Sequence, residues 1–134
     1  MSGFFDTNIL IYGQQKSGKG DRARVILAQG GTLSVQVLNE FAAVARRKLG
    51  YGWGEVGEAI DDALSLVESP LPLTVETHTV ARLLARDHGL SFHDALIVAS
   101  AIEAGCDTLW SEDMQHGRAI GSLTIRNPFL ESAP

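Results

Sequence analysis

A chain of 134 residues, 45% of them hydrophobic, is long and apolar enough for one domain, residues 1–134, with a core of its own. Its single cysteine, Cys106, excludes an intrachain disulfide and a cysteine-held metal cluster. No apolar run reaches the ~18 residues of a membrane span and no basic start leads into a signal-like stretch, so a cytoplasmic protein is expected. The net charge of −5 opposes bulk affinity for nucleic acid, but it is unevenly spread. Residues 1–48 hold seven bases against three acids and the remainder four against thirteen, which permits a polyanion-binding face.

The first expected strand covers residues 3–6, where Phe4 and Phe5 suit a buried sheet position. Asp6, Thr7 and Asn8 follow, and the apolar run resumes at Ile9, so Asp6 stands where a strand ends and a helix can begin. Residues 13–20 read as a mobile basic loop. A helix is expected over 21–29 with Val25, Ile26 and Ala28 as its apolar residues, then a short strand over 32–35. Residues 36–49 form a strong amphipathic helix: Val37, Leu38, Phe41, Ala42, Val44, Ala45 and Leu49 make its stripe, and Arg46, Arg47 and Lys48 suit its negative end.

Further helices are expected over 53–67, with an acidic outer face, and over 76–88, with Val80, Leu83 and Leu84 inward. Pro70 and Pro72 bracket a short extended piece at 71–74. Residues 92–104 are apolar almost all round and read as a central buried helix. Residues 108–110 form a strand, a short helix starts at Glu112, and residues 123–125 form a last, edge strand. Strands alternating with helices indicate an α/β fold, a three-layer α/β/α sandwich around a mainly parallel sheet of four or five strands.

Asp6, Glu40, Asp94 and Asp113 each fall at a strand C-terminus or in the first turns of the helix that follows. In a parallel α/β domain those places share one edge. Each acid has an innocent explanation. Asp6 or Asn8 can cap a helix, Glu40 at the margin of its helix's apolar stripe can be an ordinary boundary residue, Ser91 and Asp94 fit a capping box, and Ser111 can cap a helix whose dipole Glu112 and Asp113 complement. Capping explains less well why acids occupy so many of these ends. Several carboxylates at close range repel, and a cation relieves them. Oxygen-only donors select Mg²⁺ or Mn²⁺ over Zn²⁺, and such a site suits phosphodiester hydrolysis.

Four stretches together resemble the PIN-domain ribonucleases, and among them the VapC toxins of prokaryotic toxin–antitoxin pairs. They are Phe5-Asp6-Thr7-Asn8-Ile9-Leu10, Asn39-Glu40-Phe41, Phe92-His93-Asp94-Ala95-Leu96-Ile97 and Leu109-Trp110-Ser111-Glu112-Asp113-Met114-Gln115-His116-Gly117. The resemblance implies an endoribonuclease whose Asp6, Glu40, Asp94 and Asp113 bind Mg²⁺ or Mn²⁺. Asn8 and Ser111 match polar positions that hold carboxylates or water, where losses typically cost about 10–100-fold. It further implies metal-activated water as nucleophile, 5′-phosphate products, structured tRNA or rRNA as target, a homodimer and a cognate antitoxin. Lys16, Lys19, Arg46 and Arg47 are the bases expected to steer RNA. Many relatives carry one more acid shortly after the Asp113 position. Met114-Gln115-His116 stand there instead, with Glu112 as a substitute.

Other readings compete. Residues 13–20 nearly spell a P-loop, but Gly20 replaces the hydroxyl that should hold Mg²⁺, and the stretch does not follow directly from a strand. His93 and His116 offer a metal-free ribonuclease its acid and base, while His78 and His88 read as helix-surface residues. A receiver-type switch needs an acid pair at the first strand and a late lysine, and no lysine follows Lys48. A non-catalytic RNA- or protein-binding module on the same fold is the alternative from another class. Apolar residues of the 53–67 helix and Tyr51 are either core or a surface for a dimer or antitoxin.

Overall fold

The computed structural model describes residues 3–130. Strand β1 (Gly3–Phe5) runs parallel to β2 (Thr108–Trp110), which runs parallel to β4 (Leu123–Arg126). A two-residue strand, β3 (Ala119–Ile120), pairs antiparallel with β4, so the sheet order is β1-β2-β4-β3. Phe4, Leu109 and Ile125 are register partners across three strands, and all are 0% exposed. Phe5 points to the opposite face of the sheet and is also 0% exposed, so helices cover both faces of β1.

Among the described residues, six helices surround the sheet: α1 (Thr7–Gly13), α2 (Gly18–Ala28), α3 (Val35–Lys48), α4 (Trp53–Leu66), α5 (Val75–His88) and α6 (Phe92–Glu103). The α/β class and the mainly parallel four-stranded sheet agree with the sequence reading. Helix α6 is central, as its composition implies. Ile97, Val98 and Ala101 join the main core, while Ala95, Leu96 and Ala99 pack with Ala81 of α5. Val56, Ala59 and Ala63 of α4 are core residues, whereas Trp53 stands 68% exposed.

Several expectations fail for local reasons. The strand expected at 32–35 shrinks to single parallel bridges, Phe4 to Thr32 and Ser34 to Leu71, the second of them on the extended piece expected at 71–74. Ser34 already takes the N-cap position of α3, and the prolines flanking Leu71 have no N–H to extend a ladder. The strand ending the chain's sheet is not its edge, because β3, too short to show a period, lies outside it. No helix starts at Glu112. Residues 111–118 form a loop that turns at Gly117, φ +84°. Leu83, expected inward, is 46% exposed while Ala81 fills the core position, and of the apolar residues of α2 Val25 is 51% exposed while Ile26 is buried.

The expected loop over 13–20 is shorter. Helix α2 begins at Gly18, with Ser17 Oγ accepting from Gly20 N at 3.0 Å. The turn folds tightly on itself, since a Cβ at Gly20 would lie 2.0 Å from the Gln15 carbonyl oxygen. The Arg24 guanidinium holds the Gly13 and Gln15 carbonyls at 3.0 and 2.8 Å. Backbone, not open space, fills the place where a P-loop would cradle phosphate.

Candidate active site

Parallel pairing of β1 with β2 makes Phe5 and Trp110 register partners, so Asp6 and Ser111 leave the sheet side by side. Ser111 Oγ donates to Asp6 Oδ2 at 2.7 Å, and Asp6 Oδ1 accepts from Thr7 N at 2.7 Å. Asp6 is thus the N-cap of α1 and also a carboxyl only 5% exposed at the sheet edge. Burial pushes that carboxyl up to about 6. The hydrogen bonds from Ser111 and Thr7 oppose the rise, and the charges of Glu40 and Asp94 add to it.

Glu40 lies in α3 opposite the start of α1. Thr7 Oγ1 donates to its Oε1 at 2.7 Å and Gln36 Nε2 to its Oε2 at 2.9 Å. His93 Nδ1 stands 3.3 Å from the same Oε2. Asp94 lies in the first turn of α6, where Ser91 Oγ accepts from its backbone N at 3.2 Å, the cap the sequence implies. Burial raises the Asp94 carboxyl, Asp113 and Glu40 add to the rise, and Ser91 and His93 oppose it. Asp6 therefore feels the charges of Glu40 and Asp94, and Asp94 those of Glu40 and Asp113, although Asp6 and Asp94 are 88 residues apart in the chain.

Asp113 is exposed on the loop after β2. Asn8 Nδ2 donates to Asp113 Oδ2 at 3.1 Å while Asn8 Oδ1 accepts from Glu112 N at 3.2 Å, so one amide ties this loop to α1. Glu112 does not add its carboxylate to the group of acids. It accepts from Tyr12 OH at 2.9 Å and forms an ion pair with Lys19. That partner holds the Lys19 ammonium protonated above its ordinary range. The ammonium also sits over the Tyr12 and Phe129 rings, 4.9 and 5.4 Å from their centroids.

An open cleft of about 360 Å³ adjoins these acids between α1 and α3. None of the four bases expected to steer RNA lines it. Lys16 and Arg47 are exposed elsewhere, Lys19 is paired with Glu112, and Arg46 donates to the Tyr51 carbonyl and stacks 4.5 Å from the Trp53 ring centroid. Lys48 does line it, with Gln15 and Val44. The sequence signal for Lys48 was present: Glu40, Val44 and Lys48 recur every four residues on one face of α3.

The family model for the PIN domain matches residues 3–120. The chain belongs to the PIN-domain family. No curated protein sequence matches it. Its fold is similar to that of VapC20 from Mycobacterium tuberculosis, a sarcin–ricin-loop-cleaving toxin, with TM-score 0.69, 20% identity, and 84% of this chain and 90% of that one covered. A toxin–antitoxin complex from Klebsiella pneumoniae gives TM-score 0.72 at 20% identity, covering 95% and 98% of the two chains. VapBC2 from Rickettsia felis, bound to a DNA fragment from its promoter, gives 0.67 at 18% identity with the same coverage.

The donor set of this PIN domain is all carboxylate oxygen, which suits a hard cation such as Mg²⁺ or Mn²⁺. Among the described residues, no group of three or more His, Cys, Asp or Glu side chains is placed as a cage that could hold a metal ion. Mg²⁺ needs no such cage, since it usually takes one or two carboxylates together with waters and substrate phosphate. Burial, and after it the neighbouring acids, make the ionised Asp6 and Asp94 carboxylates costly, and a divalent cation would offset that cost. His116 is engaged elsewhere, its Nδ1 accepting from Asn127 N at 2.9 Å, while His78 packs edge-on against Phe92. No described helix is long and apolar enough to cross a membrane.

Proposed function

We propose that this PIN domain is a metal-dependent endoribonuclease and the toxin of a toxin–antitoxin pair, working in the cytoplasm. The observation that supports the reading is the chain of neighbouring acids, Asp6 with Glu40 and Asp94, and Asp94 with Glu40 and Asp113, in which the Asp6 and Asp94 carboxyls are raised first by burial and further by their neighbours' charges. These four residues would hold Mg²⁺ or Mn²⁺. Bound there, the ion supplies Lewis-acid polarisation of the scissile phosphate and a water acidic enough to attack it at neutral pH. The chain's own part is orientation. Ser111 and the Thr7 amide aim Asp6, Thr7 and Gln36 engage both oxygens of Glu40, and Asn8 holds Asp113. Carboxylates held in this way need no rearrangement to receive the cation.

The fold likeness to a sarcin–ricin-loop-cleaving toxin and to two toxin–antitoxin assemblies supports structured rRNA or tRNA as the target and a small antitoxin as a partner. A homodimer is part of the same reading. The test uses purified protein, freed of any partner, with total RNA from its host, in Mg²⁺ or Mn²⁺ against EDTA, followed by sequencing of new 5′ ends. Cuts that carry 5′-phosphates, require metal and vanish in Asp6→Asn and Asp94→Asn are expected. Cleavage that persists in EDTA refutes the metal-dependent reading. Folded protein that cuts no RNA with either metal points to a non-catalytic binding module.

A further inference from the structure

We propose that the cleft between α1 and α3 is a nucleotide subsite. It receives an unpaired base beside the scissile phosphate, and Lys48 binds the next phosphate along the strand. The inference rests on the endoribonuclease reading and deepens it.

The cleft has a chemical order along its length. Glu40, Val44 and Lys48 project from one face of α3 at four-residue steps, and Asn8 and Ile11 of α1, with Gln15 in the turn that follows it, line the facing side. Acid therefore stands at one end, aliphatic carbon in the middle, and an amide with an ammonium at the other. Eight residues of helix place Lys48 about 12 Å from Glu40 along the axis. That offset suits Lys48 to a phosphate next to the one at the acids. Ile11 and Val44 offer the apolar walls on which the faces of a base lose water. The Gln15 amide offers both a donor and an acceptor to a base edge.

Charge identifies the occupant. The bases near the acids are otherwise engaged, Lys19 with Glu112 and Arg46 with Tyr51 and Trp53. Lys48 is exposed and has no acidic partner within ion-pair distance among the described residues. An acid cluster alone repels RNA. A single unpaired ammonium at the far end of the same cleft gives the backbone a fixed anchor and sets its direction past the acids. A cleft of about 360 Å³ has room for one splayed base and not for a paired helix, as in sequence-specific recognition of RNA loops.

The test separates binding from chemistry. A short fluorescent single-stranded RNA is titrated into the full-length Asp94→Asn protein, alone and combined with Lys48→Ala, Lys48→Arg or Val44→Trp. The same three changes in the otherwise wild-type chain are assayed for kcat and KM. Lys48→Ala is expected to weaken binding about 5–10-fold and to lower the salt dependence by the equivalent of about one phosphate contact. Lys48→Arg should restore most of the binding. Val44→Trp, which fills the cleft, should raise KM by a similar factor with kcat within about twofold. Thermal melts confirm that each variant is folded, and the surface change at Lys48 stands if Val44→Trp does not fold.

If the wild type cleaves RNA but Kd and KM ignore Lys48 and the cleft, the subsite is wrong and the nuclease reading survives. Equal losses for duplex and single-stranded RNA would show general steering and overturn the subsite as well. If the folded wild type neither binds nor cuts RNA, both readings fail together.

Discussion

Replacing Asp6 with Asn should stabilise the folded chain while abolishing cleavage. Burial lifts the Asp6 carboxyl from 3.8 to about 6. At roughly 1.4 kcal/mol per unit, keeping it ionised in the folded state costs about 3 kcal/mol relative to the unfolded chain. The sign follows from the raised value. Below about pH 4 the group is protonated in both states and the cost is absent; as pH rises through about 6, that stability is lost. Asn keeps the shape and the contacts. Its oxygen can accept from Thr7 N, its amide can donate to a rotated Ser111 hydroxyl, and it caps a helix as well as Asp does.

The assay is thermal or urea unfolding of both proteins in EDTA across this pH range. The variant should be more stable above neutral pH by up to about 3 kcal/mol, on the order of 10 °C in Tm, with the gap closing toward pH 4. Adding Mg²⁺ should narrow the gap from the other side, by stabilising the wild type alone. A variant no more stable than wild type at about pH 7.5, or a gap that does not shrink on acidification, would refute the argument from burial.

Two further outcomes follow from contacts near the site. Lys19→Ala should lower kcat about 10–100-fold and leave KM nearly unchanged, because Lys19 restrains Glu112 and with it the loop that carries Asp113; a KM effect that fades with salt would instead make Lys19 an RNA-steering residue. Gly20→Ala should lower the Tm and the yield of folded protein, since its Cβ would fall 2.0 Å from the Gln15 carbonyl oxygen, and an unchanged melt would show that the α1–α2 turn can open.

Much of the scaffold was legible because its signals are local. Helices α3 to α6 fall within one residue of the expected boundaries, since each has a 3.6-residue apolar period, a polar or glycine N-cap, or a stop such as Gly89 at φ +66°. The β2 strand matches its expected limits. Weak signals misled where length was short. A two-residue β3 carries no period, and the Ser111 hydroxyl accepts from Met114 N at 3.4 Å as a cap would, yet no helix follows, and it also donates to Asp6, 105 residues away in sequence.

The sequence by itself determined the class of fold, the position of each acid at the end of a strand or the start of a helix, and the motifs that mark a PIN domain. Residue type and spacing suffice for these, because capping, periodicity and strand composition act over a few residues. Only the tertiary structure decided which side chains meet. It took β1 and β2 into parallel register to set Ser111 beside Asp6, and it turned Lys19 onto Glu112 while leaving Lys48 to the cleft. Those choices depend on partners brought together from distant parts of the chain. A base reads the same in the sequence whether it ends at a carboxylate or in an open cleft, and only packing distinguishes the two.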